Sequence, residues 1–338
     1  MVPSLWDLLD LVCKFLTYLG AASLVGTLFC LWLFKNESSQ LSNDLLMYMA
    51  GGAFLGFQGA LLRFFVQVGM VVDDGLVGMF DWGMAEIYID SPLGDTTFFQ
   101  LCGYALAFLL AIRYRKGIRG NPHESGQTSF RFFLSVGLFA FLLLLFSFRF
   151  SGHISVLSTV TKIAIVLHYT AFAAWIGSLY PLYLLSFSNN ISFIQSRVKA
   201  FGDKAILIVF GLIAAGGYML FELFASIKEI FKTSYGLVIL SKLFLVIVIL
   251  GIAAINRIRL TPDLVSQNRV KLFRLSVKIE ILVAICILIV TTYLSTVVGP
   301  PPNLGWPFLK NKSSVWGPTQ TNIRHIHNVG VFDFGRQD

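Results

Sequence analysis

Residues 162–182 read KIAIVLHYTAFAAWIGSLYPL. After Lys162 the run holds no Asp, Glu, Lys or Arg, and His168 is its one imidazole. A helix needs about 20 apolar residues to cross about 30 Å of hydrocarbon, and this run has that length. Lipid offers no partner to a bare backbone N–H or C=O, so such a run is helical. With its flanks it extends over 159–187. Seven further runs of the same kind occur at about 5–34, 45–72, 97–112, 130–150, 204–226, 236–256 and 274–298. The expected fold class is therefore all-α: a polytopic integral membrane protein with eight transmembrane helices. The composition agrees. Of 338 residues, 56% are hydrophobic and 13% charged, against about 45–50% and about 25% in soluble domains. Soluble globular, disordered and collagen-like chains are excluded.

The loops orient the spans. Residues 73–97 contain Asp73, Asp74, Asp81, Glu86, Asp90 and Asp95 and no Lys or Arg. The next loop holds Arg113, Arg115, Lys116, Arg119 and Arg131. Arg197, Lys199 and Lys204 follow span five. Arg257, Arg259, Arg269, Lys271, Arg274 and Lys278 follow span seven. Basic loops stay on the cytoplasmic side, which predicts that both termini are periplasmic. The first run is too long for a cleaved signal peptide and reads as a retained span. The expected organisation is an N-terminal four-helix half (1–150), a C-terminal four-helix half (151–300) and an outer tail (301–338). Trp82 and Tyr88 in the acidic loop suit the membrane interface.

The net charge of +8 follows from these inner loops, so it reports orientation in a lipid bilayer and not nucleic-acid binding. Cys13, Cys30, Cys102 and Cys286 lie in apolar runs without a CxxC pair. They read as small buried hydrophobes.

Ionisable groups inside spans are costly and face the bundle interior. The candidates are Arg63, His168, Glu222, Lys242 and Glu280. Arg63 reads as an anion site or as an internal ion pair, with Glu222 as one partner to consider. His168 reads as an interhelical hydrogen-bonding group or as a metal ligand. His153, in FRFSGHIS, falls in the same outer half of the membrane, and neutral imidazole is a good copper ligand. Thioethers suit Cu(I), which adds Met70 and Met219; both also read as core filler. His325 and His327 form an HxH in the tail, a second candidate metal site. In GLIAAGGYMLFELF, residues Gly211, Ala215, Gly216 and Gly217 allow close helix approach.

The second half resembles the CopD family of bacterial inner-membrane copper-resistance proteins. The pieces occur in order: FSGHIS with His153, LHYTAFAAWIGSLYPLY with His168, Trp175, Gly177 and Pro181, GLIAAGGY, the TSYG turn at 233–236, and Lys242 in LSKLFL. Then come AAINRIRLTP with Asn256 and Arg257, VKIEILVAI with Glu280, and STVVGPPP. The resemblance implies a multi-pass protein of the bacterial inner membrane. Its function would be to move copper, as Cu(I) or Cu(II), from the periplasm into or across the membrane. It implies no enzymatic activity and no ATP hydrolysis, and the chain has neither a GxxxxGK[ST] motif nor a Cys-Pro-Cys. Some relatives carry a fused CopC-like copper domain; here such a carrier would be a separate partner chain. Two other readings stand beside this one. A b-type haem oxidoreductase would use His153 and His168 as axial ligands. A non-transporting docking protein would receive a periplasmic copper carrier on the acidic loop and tail.

Overall fold

The computed structural model describes residues 3–34, 39–120, 127–150, 158–223, 230–231 and 233–298. Its helices are α1 (Leu5–Leu33), α2 (Ser39–Val72), α3 (Trp82–Ile89), α4 (Pro92–Gly120), α5 (Gln127–Ser147), α6 (Thr159–Leu185), α7 (Ile191–Leu223), α8 (Ser234–Ile255) and α9 (Gln267–Tyr293). All but α3 are long and apolar enough to cross a membrane, which gives the eight expected spans. No strand occurs among the described residues. Large apolar side chains such as Leu207, Phe210 and Phe221 stand exposed on the outside, where only lipid would cover them.

The helices outrun the apolar windows that announced them. The third span, expected at 97–112, lies within the helix Pro92–Gly120. The sixth, expected from 204, begins at Ile191. Its first turns carry Arg197, Lys199 and Lys204, too polar for lipid but well suited to a helix end in water. These turns are also tied down. Arg197 donates to the Leu33 carbonyl at 3.2 Å and lies over the Phe193 ring at 4.9 Å. Lys204 sits over the Trp32 ring at 5.0 Å. The contacts with Leu33 and Trp32 fasten α7 to the end of α1.

Helix α1 is the axis of the bundle. It packs on α2 and α6, and also meets α5 and α9. Beyond it, α2 packs on α4 and α4 on α5; α6 packs on α7 and α9, and α8 chiefly on α9. The tightest crossing is at Gly26 and Gly177. A Cβ on Gly177 would stand 2.6 Å from the Ala22 carbonyl carbon and 3.1 Å from Gly26 N, so the two backbones meet only because neither residue has a side chain. Pro181 lies inside α6 and has no N–H for the Gly177 carbonyl one turn earlier. Tyr48 of α2 supplies the missing donor, its hydroxyl reaching Gly177 O at 3.3 Å. One glycine thus joins α1, α2 and α6.

The acidic loop is partly helical. A 3₁₀ turn (Gly75–Phe80) leads into α3, whose N-terminus is capped by Asp81 accepting from Met84 N at 2.7 Å. Val77, Phe80, Trp82, Ile87 and Ile89 are exposed there beside the carboxylates, the mixture expected of a segment lying at an interface.

Candidate functional site

His168 lies on α6 and faces α7. Its Nδ1 is 3.0 Å from the Leu212 carbonyl oxygen. A carbonyl only accepts, so Nδ1 carries the hydrogen and the neutral ring has its lone pair on Nε2. The backbone bond fixes ring and tautomer, the arrangement also seen in metal-binding histidines, and leaves the lone pair on the other nitrogen. Gly216 makes room for the ring: a Cβ there would be 3.0 Å from His168 Cε1. Of the small residues at 211–217, this is the one whose smallness the imidazole uses. Gly217 would meet nothing within 4 Å, and Gly211 only Leu167 at 4.0 Å. Lys242, on α8, is close enough for its charge to act on the imidazole.

Of the other expected ligands, Met219 and Met70 lie among the described residues. Met219 is on α7, the helix that holds the ring, and is half-buried. Met70 is near the end of α2, whose main neighbours are α1 and α4. His153, His325 and His327 lie outside the described residues. Among the described residues no three His, Cys, Asp or Glu side chains converge where they could hold a metal ion. Cys13 and Cys30 are buried and all four cysteines are free.

Arg63 has a partner, but not Glu222. Its Nε meets Asp10 Oδ1 at 2.9 Å. Lys14 Nζ meets Asp10 Oδ2 at 2.9 Å, and Gln67 donates to Asp10 Oδ1 at 3.2 Å. Lys14 reaches on to Ser295 O at 3.1 Å and Thr296 Oγ1 at 3.0 Å. This network ties α1, α2 and the end of α9. Sequence reasoning passed over Asp10 and Lys14, although their i, i+4 spacing inside the first apolar run was the available signal.

Glu280 of α9 is buried and does not pair with Lys242. Asn256, at the end of α8, donates from Nδ2 to Glu280 Oε1 at 2.7 Å. Here α8 passes into a π-helical turn, Asn256–Leu260, closed by Thr261 N on Asn256 O at 2.8 Å. Next to this pair α6, α7, α8 and α9 enclose a cavity of about 750 Å³. Besides Glu280, Lys199, Asp203 and Arg257 line it, with Arg257 on Asp203 at 2.9 Å.

Eight lipid-facing helices, a membrane imidazole with one nitrogen anchored, and a largely apolar cavity that holds a few charged and polar side chains define the class: a polytopic membrane protein with interior polar groups. Comparison adds the copper connection. Residues 196–294 match the family model of CopD, copper resistance protein D. The copper transport protein CutJ of Bacillus subtilis (strain 168) is 27% identical over 305 residues, which cover 88% of this chain and 54% of that protein. The chain thus spans about half the length of this curated relative. No solved structure matches. The CopD resemblance read from the sequence is borne out, and both findings support a copper-related, multi-pass membrane protein.

Proposed function

We propose that this protein takes copper from the periplasmic side of a bacterial inner membrane into or across it, without ATP hydrolysis. The observation that carries the reading is the His168 geometry. One ring nitrogen is spent on Leu212 O, and the other keeps a lone pair that could bind a metal inside the membrane region. The positive-inside rule places both termini, the acidic loop and the His168 half of α6 on the outer side. Six carboxylates on that loop would concentrate cations there. His168 is the entry ligand, and His153 and Met219 are its proposed companions. Met70, His325 and His327 would act earlier, at the outer surface, where a CopC-like carrier would deliver copper. Few ligands and a nearby lysine suit a site that must release its ion. The two four-span halves divide the work: the first frames, and the second carries the ion.

The test is a Cu(I) titration of detergent-purified protein against a chromophoric competitor. Wild type, His168→Ala and the His153→Ala/His168→Ala double variant are compared. The expected result is binding that weakens in the single variant and is lost in the double. Unchanged affinity in both variants removes the assignment. A Soret band in the purified protein overturns it in favour of haem. Flux into vesicles then separates transport from docking.

A further inference from the structure

Glu280 is 4% exposed and enters none of the four ion pairs among the described residues. Among the described residues its hydrogen-bond partner is the Asn256 amide, 2.7 Å away. Asn256 is 7% exposed, and its own oxygen, Oδ1, is buried with no hydrogen-bond partner. Both side chains line the 750 Å³ cavity. Two unsatisfied groups therefore sit in one place: a carboxyl without a counter-charge and an amide oxygen without a donor. Each is costly inside a membrane protein.

The charged neighbours do not relieve them. From α7 the cavity receives Lys199 and Asp203, and from the turn after α8 it receives Arg257. Arg257 is engaged by Asp203. The α6 wall contributes Trp175 and Leu182 and no charge. Lys278, on α9 itself, lies over the Tyr183 ring at 5.5 Å. Helix α1, also packed on α9, brings Lys14 to the opposite end, at Ser295.

One small species satisfies both groups. A proton on Glu280 cancels the charge and creates an O–H. An acid and an amide then match fully, each donating once and accepting once. Copper(I) does not fit, because it selects sulfur and nitrogen and these donors are oxygens. We propose that Glu280 is a proton-exchange site, loaded and emptied through the cavity, with Asn256 as its positioning partner. The proton comes from water in the cavity and returns to it; no other bond is made or broken. By the charge rule the cavity lies at the cytoplasmic end, so Glu280 can exchange protons with that side. Resting on the copper-transport reading, this makes a proton the coupling ion.

The experiment is infrared difference spectroscopy of the protein in lipid between low and high pH, for wild type, Glu280→Gln and Asn256→Leu. A protonated-carboxyl C=O band that follows pH in wild type is expected to vanish in Glu280→Gln. In Asn256→Leu, which keeps the carboxyl and serves where the other variant fails to fold, the band should move to higher frequency as its hydrogen bonds are lost. A spectrum unchanged by Glu280→Gln overturns the site. A band unmoved by Asn256→Leu overturns the role of Asn256, and a band that answers to Na⁺ at constant pH replaces the proton with sodium. None of this needs copper. In proteoliposomes, a pH gradient should stimulate Cu(I) uptake by wild type and not by Glu280→Gln. Stimulation that survives the substitution overturns the coupling. Absence of uptake in wild type overturns the transport reading and leaves the infrared result standing.

Discussion

Replacing Asp10 with Asn should destabilise the protein by about 3 kcal/mol. Asp10 is 3% exposed and stands between two cations, Lys14 and Arg63, each at 2.9 Å. The substitution keeps the shape of the side chain, so it opens no cavity. It does leave two positive charges in the membrane region without a counter-charge. Removing one partner of a buried pair costs about 3–5 kcal/mol. The lower figure applies because the Arg63 side chain keeps 25% of its surface and that of Lys14 15%, so some solvent or headgroup screening remains. The assay is unfolding of detergent-solubilised protein by heat or denaturing detergent. The control is Asp10→Asn/Lys14→Met/Arg63→Met, which removes all the charges. Because an apolar replacement of a whole buried network is often neutral or stabilising, this triple variant should recover most of the loss. If Asp10→Asn unfolds with wild-type stability, or if the triple variant is as weak as the single, charge burial at this site is not what the network relieves.

Other expectations follow from single contacts. Gly177→Ala places a methyl 2.6 Å from the Ala22 carbonyl carbon; α1 and α6 must separate, and unfolding should show a loss of about 1–3 kcal/mol, as for overpacked cores. Gly216→Ala presses on His168 Cε1 at 3.0 Å and should weaken Cu(I) binding on the order of tenfold while leaving the unfolding midpoint nearly unchanged. Lys242→Met removes a positive charge acting on His168 and should tighten Cu(I) binding by about 1 kcal/mol, read in the same competition titration. Arg274→Lys loses the two-nitrogen contact with Ser186, Nε at 3.0 Å and Nη2 at 2.6 Å, and the stacking over Phe187 at 3.8 Å. About 1–2 kcal/mol of stability should go with it.

The spans were legible because hydropathy over 20 residues is a strong signal, and so was the family segment, because AAINRIRLTP and VKIEILVAI keep their order. What faced what was not legible. Lipid is as apolar as a helix interface, so the pattern that marks the inward face of a soluble helix is absent here. Arg63 was seen as buried and charged, but its partner lies 53 residues earlier on α1, and no local spacing announces it. Glu280 and Asn256 were both flagged, but not as partners. The run at 211–217 looked like the tight crossing, yet the closest backbones are at Gly26 and Gly177, each a lone glycine in an ordinary apolar stretch. The histidine anchor was readable only as a possibility, since the acceptor is a backbone carbonyl on another helix.

The two halves also differ in how their buried polar groups are settled. In the first, Asp10, Lys14, Arg63 and Gln67 answer one another, with Lys14 reaching on to Ser295, and Tyr104 caps the Thr17 carbonyl. In the second, His168 keeps one nitrogen, Asn256 Oδ1 has no donor, and Glu280 has no cation. Packing follows the same division. The apolar window of α1 is 61% buried within the protein, against 6% for α7 and 11% for α8. Helices with few packed neighbours shift at low cost, whereas α1, α2 and α6 are locked together at Gly177. The segment that matches CopD, residues 196–294, therefore coincides with the helices most exposed to lipid and with the Asn256–Glu280 pair. An ion that binds there gains contacts the fold has left unmade, among helices bordered largely by lipid. On the transport reading proposed above, both properties are needed in the same place, and the crossing of α1, α2 and α6 at Gly177 supplies the fixed frame against which such movement is possible.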